Sequence, residues 1–148
     1  FVQSFTFAAG TVPAGTSASA LGVNTFAATG PSAAQNVCNG GTGCGSGVPT
    51  SRTLTAQATG ATGTFNTPFT AVHFYRIDAG GVVRYIGAAG APTSTDTGGV
   101  RTWTWTTSFN ATGLAAQAAV PVFAIGVDSN GDGLRAANNT NLSIVGTL

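Results

Sequence analysis

The stretch VDSNGDGLR, Val127 to Arg135, sets Asp128, Asn130, Asp132 and Gly133 at the spacing of a calcium-binding loop. Such a loop takes oxygen ligands from alternate positions, a glycine at its sixth and a bidentate glutamate at its twelfth. Counted from Asp128, the carboxylates and the glycine fall in place, but the twelfth residue is Asn139 and no helical pattern flanks the loop. Asp128, Asn130 and Asp132 are therefore only a weak calcium candidate, which would bind in roughly the millimolar range of extracellular modules. The simpler reading of the same letters is an Asn-Gly/Asp-Gly hairpin tip, where the backbone needs positive φ.

Other chemistry is thinly supplied. His73 is the only histidine, so a multi-histidine metal site cannot be built. Serines abound, yet there is no G-x-S-x-G elbow to mark one as a nucleophile. Glycoside hydrolysis needs two positioned carboxylates, whereas Asp78, Asp96, Asp128 and Asp132 all fall in turn-like segments. No glycine-rich loop precedes a helix to cradle phosphate. The chain reads as a non-enzyme. No cofactor is expected, unless Ca²⁺ occupies the Asp128 loop.

Cys38 and Cys44 enclose NGGTG. The spacing is wider than C-x-x-C and no further cysteine completes a zinc set, so a local disulfide is expected, worth about 2 kcal/mol by loop-closure entropy. A disulfide implies a compartment outside the reducing cytosol. Trp103 and Trp105, at i and i+2 of a strand, share one face. That face is either the core, where large aromatics dominate, or an aromatic platform for sugar rings. Arg101 on the same side argues for partial exposure.

Composition bounds what remains. Of 148 residues, five are Arg or Lys and four Asp or Glu; Lys, Glu and Met are absent, while 43% are hydrophobic. Disorder through charge is excluded. The net charge of +1 gives no footprint for nucleic acid or an anionic membrane. No apolar run approaches the ~20 residues that cross a bilayer. A chain that opens on Phe1 reads as a processed product or an excised piece. Sequons at Asn110, Asn138 and Asn141 permit glycosylation.

The elements that must position these residues are short strands between turn signals. Phe1 to Ala9 alternates, with Phe1, Phe5 and Phe7 on one face, and Ser17 to Phe26 is a weaker strand. Ala27 to Ser51 is loop-like, and so long a loop suggests an extra strand or a functional segment. Arg52 to Thr59 follows, then a hairpin of AVHFYRID and VVRYIG across Asp78 to Gly81, then VRTWTWTTSF up to a break at Asn110 to Gly113. Ala119 to Asp128 is nearly all apolar, as in a strand buried on both faces. Pro121, which cannot donate to a ladder, belongs at its start or on an edge. In NLSIVGTL, Leu142, Ile144 and Leu148 share a face. About seven to nine such strands argue for an all-β sandwich filling a single domain over residues 1–148.

Residues 52–148 resemble bacterial immunoglobulin-like domains, the repeat modules of large secreted and cell-surface proteins. VHFYRID is similar to that family's V-x-F-Y-x-x-D-G strand and hairpin. FNATGLAA, with Asn110 in place of the family's aspartate, resembles its aromatic-D-x-x-G-L-x-A corner. VFAIGVDSNGDG resembles its A-x-A-x-D-x-x-G-N strand and turn. The resemblance implies an immunoglobulin-like sandwich acting as spacer, stalk, adhesin or accessory domain, with residues 1–51 as an added N-terminal strand and loop region. Low charge and abundant Thr and Gly suit packing against copies of the same chain. The functional expectation is an extracellular filament subunit or adhesive module, with no nucleic-acid partner and no membrane insertion. Phe1, Val2, Phe5 and Phe7 would anchor a donated strand, with the Val120–Val127 strand lining the groove that receives it. The alternative is a carbohydrate-binding accessory domain using Trp103 and Trp105.

Overall fold

The computed structural model describes residues 25–63, 67–129, 131 and 133–148. It is an all-β sandwich whose ten strands are β1 (Thr25–Ala28), β2 (Gln35–Cys38), β3 (Ser51–Ala61), β4 (Ala71–Ile77), β5 (Val83–Ala89), β6 (Thr93–Thr97), β7 (Val100–Asn110), β8 (Gln117–Val127), β9 (Gly133–Arg135) and β10 (Asn139–Val145). One sheet runs β1-β3-β7-β6. The other runs β2-β10-β8-β4-β5, with β9 also paired to β8. Among the described residues every pairing is antiparallel except β2 with β10 and a lone Ala27–Ala137 bridge.

Alternation decides the faces. In β7 the threonines at 102, 104 and 106 alternate with Trp103 and Trp105, and in register Trp103 lies opposite Ala58 and Trp105 opposite Ala56. A large ring beside a methyl lets the inner face interdigitate without voids. Both tryptophans are buried, at 2% and 0% exposure. The sugar-platform expectation is thereby corrected: the face that Trp103 and Trp105 share is the core face. Trp105 packs against Phe69 with centroids 5.5 Å apart, Phe69 against Phe26 at 4.8 Å, and its indole N–H donates to the Gly90 carbonyl at 3.1 Å. Arg101, at the start of the strand, leaves the core to pair with Asp96 at 2.6 Å.

Several boundaries differ from expectation. β1 begins at the end of the expected Ser17–Phe26 strand, and β2 is an extra strand within the stretch read as loop, so residues before Arg52 supply strands to both sheets. Pro121 lies neither at an edge nor at the start of β8, but where the β8–β10 register shifts between Val122 and Val120. A bulge tolerates the missing N–H as an edge would. Leu142 and Ile144 are buried, whereas Leu148 is 70% exposed. The backbone turns out of alternation at Gly146, whose φ is +117° and where a Cβ would run into the Asn39 side chain.

Asn39 knots one end of the molecule. It is 1% exposed, lies inside the loop closed by the Cys38–Cys44 disulfide, and its Nδ2 donates to the Leu114 carbonyl at 3.0 Å and the Gly146 carbonyl at 3.1 Å. Its Oδ1 accepts the Gly41 N–H at 3.0 Å, its own N–H reaches the Val145 carbonyl, and its carbonyl accepts the Gly113 N–H. One side chain thus ties the cysteine loop to the β7–β8 corner and to the end of β10. Asn39→Ala removes three hydrogen bonds and leaves two carbonyls without that partner, which should cost about 3 kcal/mol at about 1 kcal/mol each. The double variant C38A/C44A should lose about 2 kcal/mol. Urea denaturation would rank them. Asn39→Asp, unable to donate, should be at least as damaging as Asn39→Ala.

Candidate interaction face

The two outer faces differ in chemistry. On the β1-β3-β7-β6 sheet the outward residues are largely Thr and Gln, joined by bonds such as Gln57 Nε2 to Thr104 Oγ1 at 3.1 Å and the Thr25–Thr59 hydroxyl pair at 2.7 Å. The other sheet carries aromatics. Phe123 of β8 lies opposite Tyr75 of β4, and Tyr75 lies opposite Tyr85 of β5. Directly opposed residues share a face, so the three rings form one row across three strands.

The row is graded in burial. Phe123 is 2% exposed although it stands outside the main core cluster. Tyr75 stacks on it at 5.3 Å and 15°, and the Arg135 guanidinium covers it at 4.4 Å from the ring centroid, a cation–π contact. Tyr75 is half-buried. Burial, with Tyr85 nearby as a second cause, pushes its phenol above the usual value. Tyr85 is 56% exposed and meets Tyr75 edge-on at 5.5 Å and 62°. His73, one register step away, contacts Tyr85 at 6.1 Å, which places the sole histidine on this face rather than among carboxylates. Sequence reading missed the row because its members lie on three separate strands. Counting outward from the Asp78–Gly81 turn pairs Tyr75 with Tyr85 and would have revealed half of it.

The β4–β5 hairpin that presents Tyr85 is pinned at its tip. Asp78 Oδ1 accepts the Gly80 and Val82 N–H groups at 3.0 and 2.9 Å, and Oδ2 accepts Arg84 Nε at 2.8 Å. The Arg84 bond first, and the Val82 N–H next, hold the Asp78 carboxyl below the usual carboxylate range. Arg101 does the same for Asp96.

The remaining candidate residues are also located. Cys38 and Cys44 form the expected disulfide, with Cα atoms 5.3 Å apart. The Asp128 loop is a hairpin tip between β8 and β9, Val127 pairing with Gly133 and the Asp128 carbonyl accepting the Gly131 N–H at 3.2 Å. Asn130 and Asp132 lie outside the described residues, as do Phe1, Val2, Phe5 and Phe7. Among the described residues no three His, Cys, Asp or Glu side chains gather as a metal group. The groove expected along Val120–Val127 is filled from the same chain, β4 taking one edge of β8 and β10 with β9 the other. No protein-family model matches the chain, and no match was found among curated proteins.

Because Asp78 and Asp96 sit below their unfolded values, the unfolded state binds more protons in the acid range. Their stabilisation is present above the unfolded value and is lost as pH falls through the folded one. Thermal melts from neutral pH to strong acid should show a shallow fall confined to that window. The D78N/D96N variant should flatten it.

Proposed function

We propose that this chain is a non-catalytic, extracellular structural subunit with an immunoglobulin-like sandwich, which assembles with copies of itself. The observation that carries the reading is the row Phe123–Tyr75–Tyr85, which grades from buried to exposed across an outer face and ends on an edge strand. Aromatic rings are enriched and charges depleted at interface cores, and this chain has five basic and four acidic residues among 148. The Cys38–Cys44 disulfide supports a compartment outside the cytosol. The strand order supports the immunoglobulin-like assignment: β1-β3-β7-β6 corresponds to the ABED sheet of that fold and β10-β8-β4 to its GFC sheet, with β5 as the added strand of the variable type.

The carbohydrate-binding alternative would move from the tryptophans to Tyr75 and Tyr85. A sugar ring prefers a flat surface, however, and these rings meet at 62°. A corrugated face fits interdigitating side chains better. Electron microscopy of the full chain beside a variant lacking Phe1–Ala9 tests the proposal. Filaments from the full chain and folded monomers from the truncation are expected. Monomers from both, with heat released on titration of a polysaccharide, would replace it with the accessory-domain reading.

A further inference from the structure

A strand can be added to a sheet only at an edge with free backbone groups. Among the described residues the two sheet paths end on β1, β6, β2 and β5, and two of these outer edges are already occupied by the chain itself. The outer edge of β1 is bonded to the β9–β10 link, Ala28 N–H donating to the Ala137 carbonyl at 3.1 Å and Ala137 N–H to Phe26 at 3.4 Å. On β2 the Cys38 N–H reaches Pro49 at 2.8 Å, and the Asn36 carbonyl accepts Arg52 Nε at 3.1 Å. The other two, β6 and β5, lie together on the opposite side of the sandwich, where β5 packs over β7.

Among the described residues neither edge has a partner strand, and the two are unlike. β6 is Thr-Ser-Thr-Asp-Thr, exposed at every position, and offers an added strand no apolar neighbour. β5 presents Tyr85, at the outer end of the aromatic row, close to Val82 at 48% exposure. Its single charge, Arg84, is engaged by Asp78 at the hairpin tip.

Resting on the self-assembly reading above, we infer that the β5 edge accepts the Phe1–Ala9 strand of a second copy. In that segment Phe1, Phe5 and Phe7 stand at odd positions, which an extended strand would set on one face, and no residue is charged. Laid beside β5, this face extends the row by a fourth column and covers the exposed Tyr85 ring with a cross-strand aromatic pair. Backbone hydrogen bonds supply affinity and the phenylalanines supply register. Residues 10–24, also uncharged, can span roughly 50 Å when extended, enough to reach a neighbouring molecule. They lead into β1 on the closed side of the sandwich. A strand folding back in cis would have to carry this link across an end of the molecule, whereas one donated in trans runs outward directly.

The test uses full-length chains with single substitutions, mixed in pairs under mild oxidation. One partner carries Phe1→Cys, Phe5→Cys or Phe7→Cys, so that any register is sampled. The other carries Tyr85→Cys or, on the rival edge, Thr95→Cys. The inference expects a disulfide-linked dimer with Tyr85→Cys at least fivefold above that with Thr95→Cys. It also expects Tyr85→Lys to lower assembly at least tenfold with no change in melting temperature. Filaments that persist in Tyr85→Lys without cross-links to position 85 would overturn the β5 assignment while leaving self-assembly standing. Preferential linking to position 95 would do the same. A doubly substituted chain, Phe5→Cys/Tyr85→Cys or Phe7→Cys/Tyr85→Cys, that closes on itself while the mixtures stay unlinked would overturn donation in trans. No assembly of the unmodified chain would overturn both readings.

Discussion

Backbone hydrogen bonding at the margins of the sheets is the constraint on which the rest of this structure depends. A sandwich of short strands has many end and edge groups for each core residue, and each one kept from water needs a partner. Here one long side meets the demand internally. Asn39 ties the cysteine loop, the β7–β8 corner and the end of β10, while Ala137, Pro49 and Arg52 occupy the outer edges of β1 and β2. The disulfide holds the Asn39 loop in place, so covalent and hydrogen-bonded closure fall in the same region. Among the described residues the opposite side has no such device at β5.

The core and the outer faces follow from one pairing rule applied twice. Inside, Trp103 and Trp105 stand beside Ala58 and Ala56, so the bulk of one strand fills the space its neighbour leaves. Outside, register on the other sheet aligns Phe123, Tyr75 and Tyr85. The inner rings are saturated with partners. Among the described residues the outer row has partners only on one side, Phe123 being covered by Tyr75 and Arg135 while Tyr85 has a neighbour strand on one flank alone. Burying the remaining half of such a ring is worth about 1 kcal/mol or more at ~25 cal/mol per Å². An association that covers Tyr85 therefore gains what the isolated chain does not.

Alternation made β7 and β10 legible, a nearly unbroken apolar run gave β8, and turn chemistry located the β4–β5 hairpin and the tip after Asp128. Other features resisted for physical reasons. Alternation shows that Trp103 and Trp105 share a face but not which face is inward. That depends on Ala56 and Ala58, some 50 residues away in sequence and adjacent only in register. β2 hides because Gln-Asn-Val-Cys is held by pairing with β10 rather than by local propensity. β6 hides because both of its faces are wet, which removes the period that marks a half-buried strand. Pro121 misleads in the other direction, since a bulge in the partner strand serves where an edge was expected.

The scarcity of charge joins these points. Sheet proteins commonly guard open edges with lysine, inward-pointing charges or proline. This chain has no lysine, and the one charge on β5 is withdrawn to the hairpin tip, where Asp78 already serves two backbone N–H groups. Salt bridges so exposed contribute little to stability, so the pair is better understood by where it places the charge than by its strength. What it leaves, among the described residues, is an aromatic edge with its one charge paired off, on a molecule whose opposite edges are closed by dedicated contacts. Left free, such an edge is an aggregation hazard, and the same backbone groups that make it one allow a single, register-matched strand to be added to it.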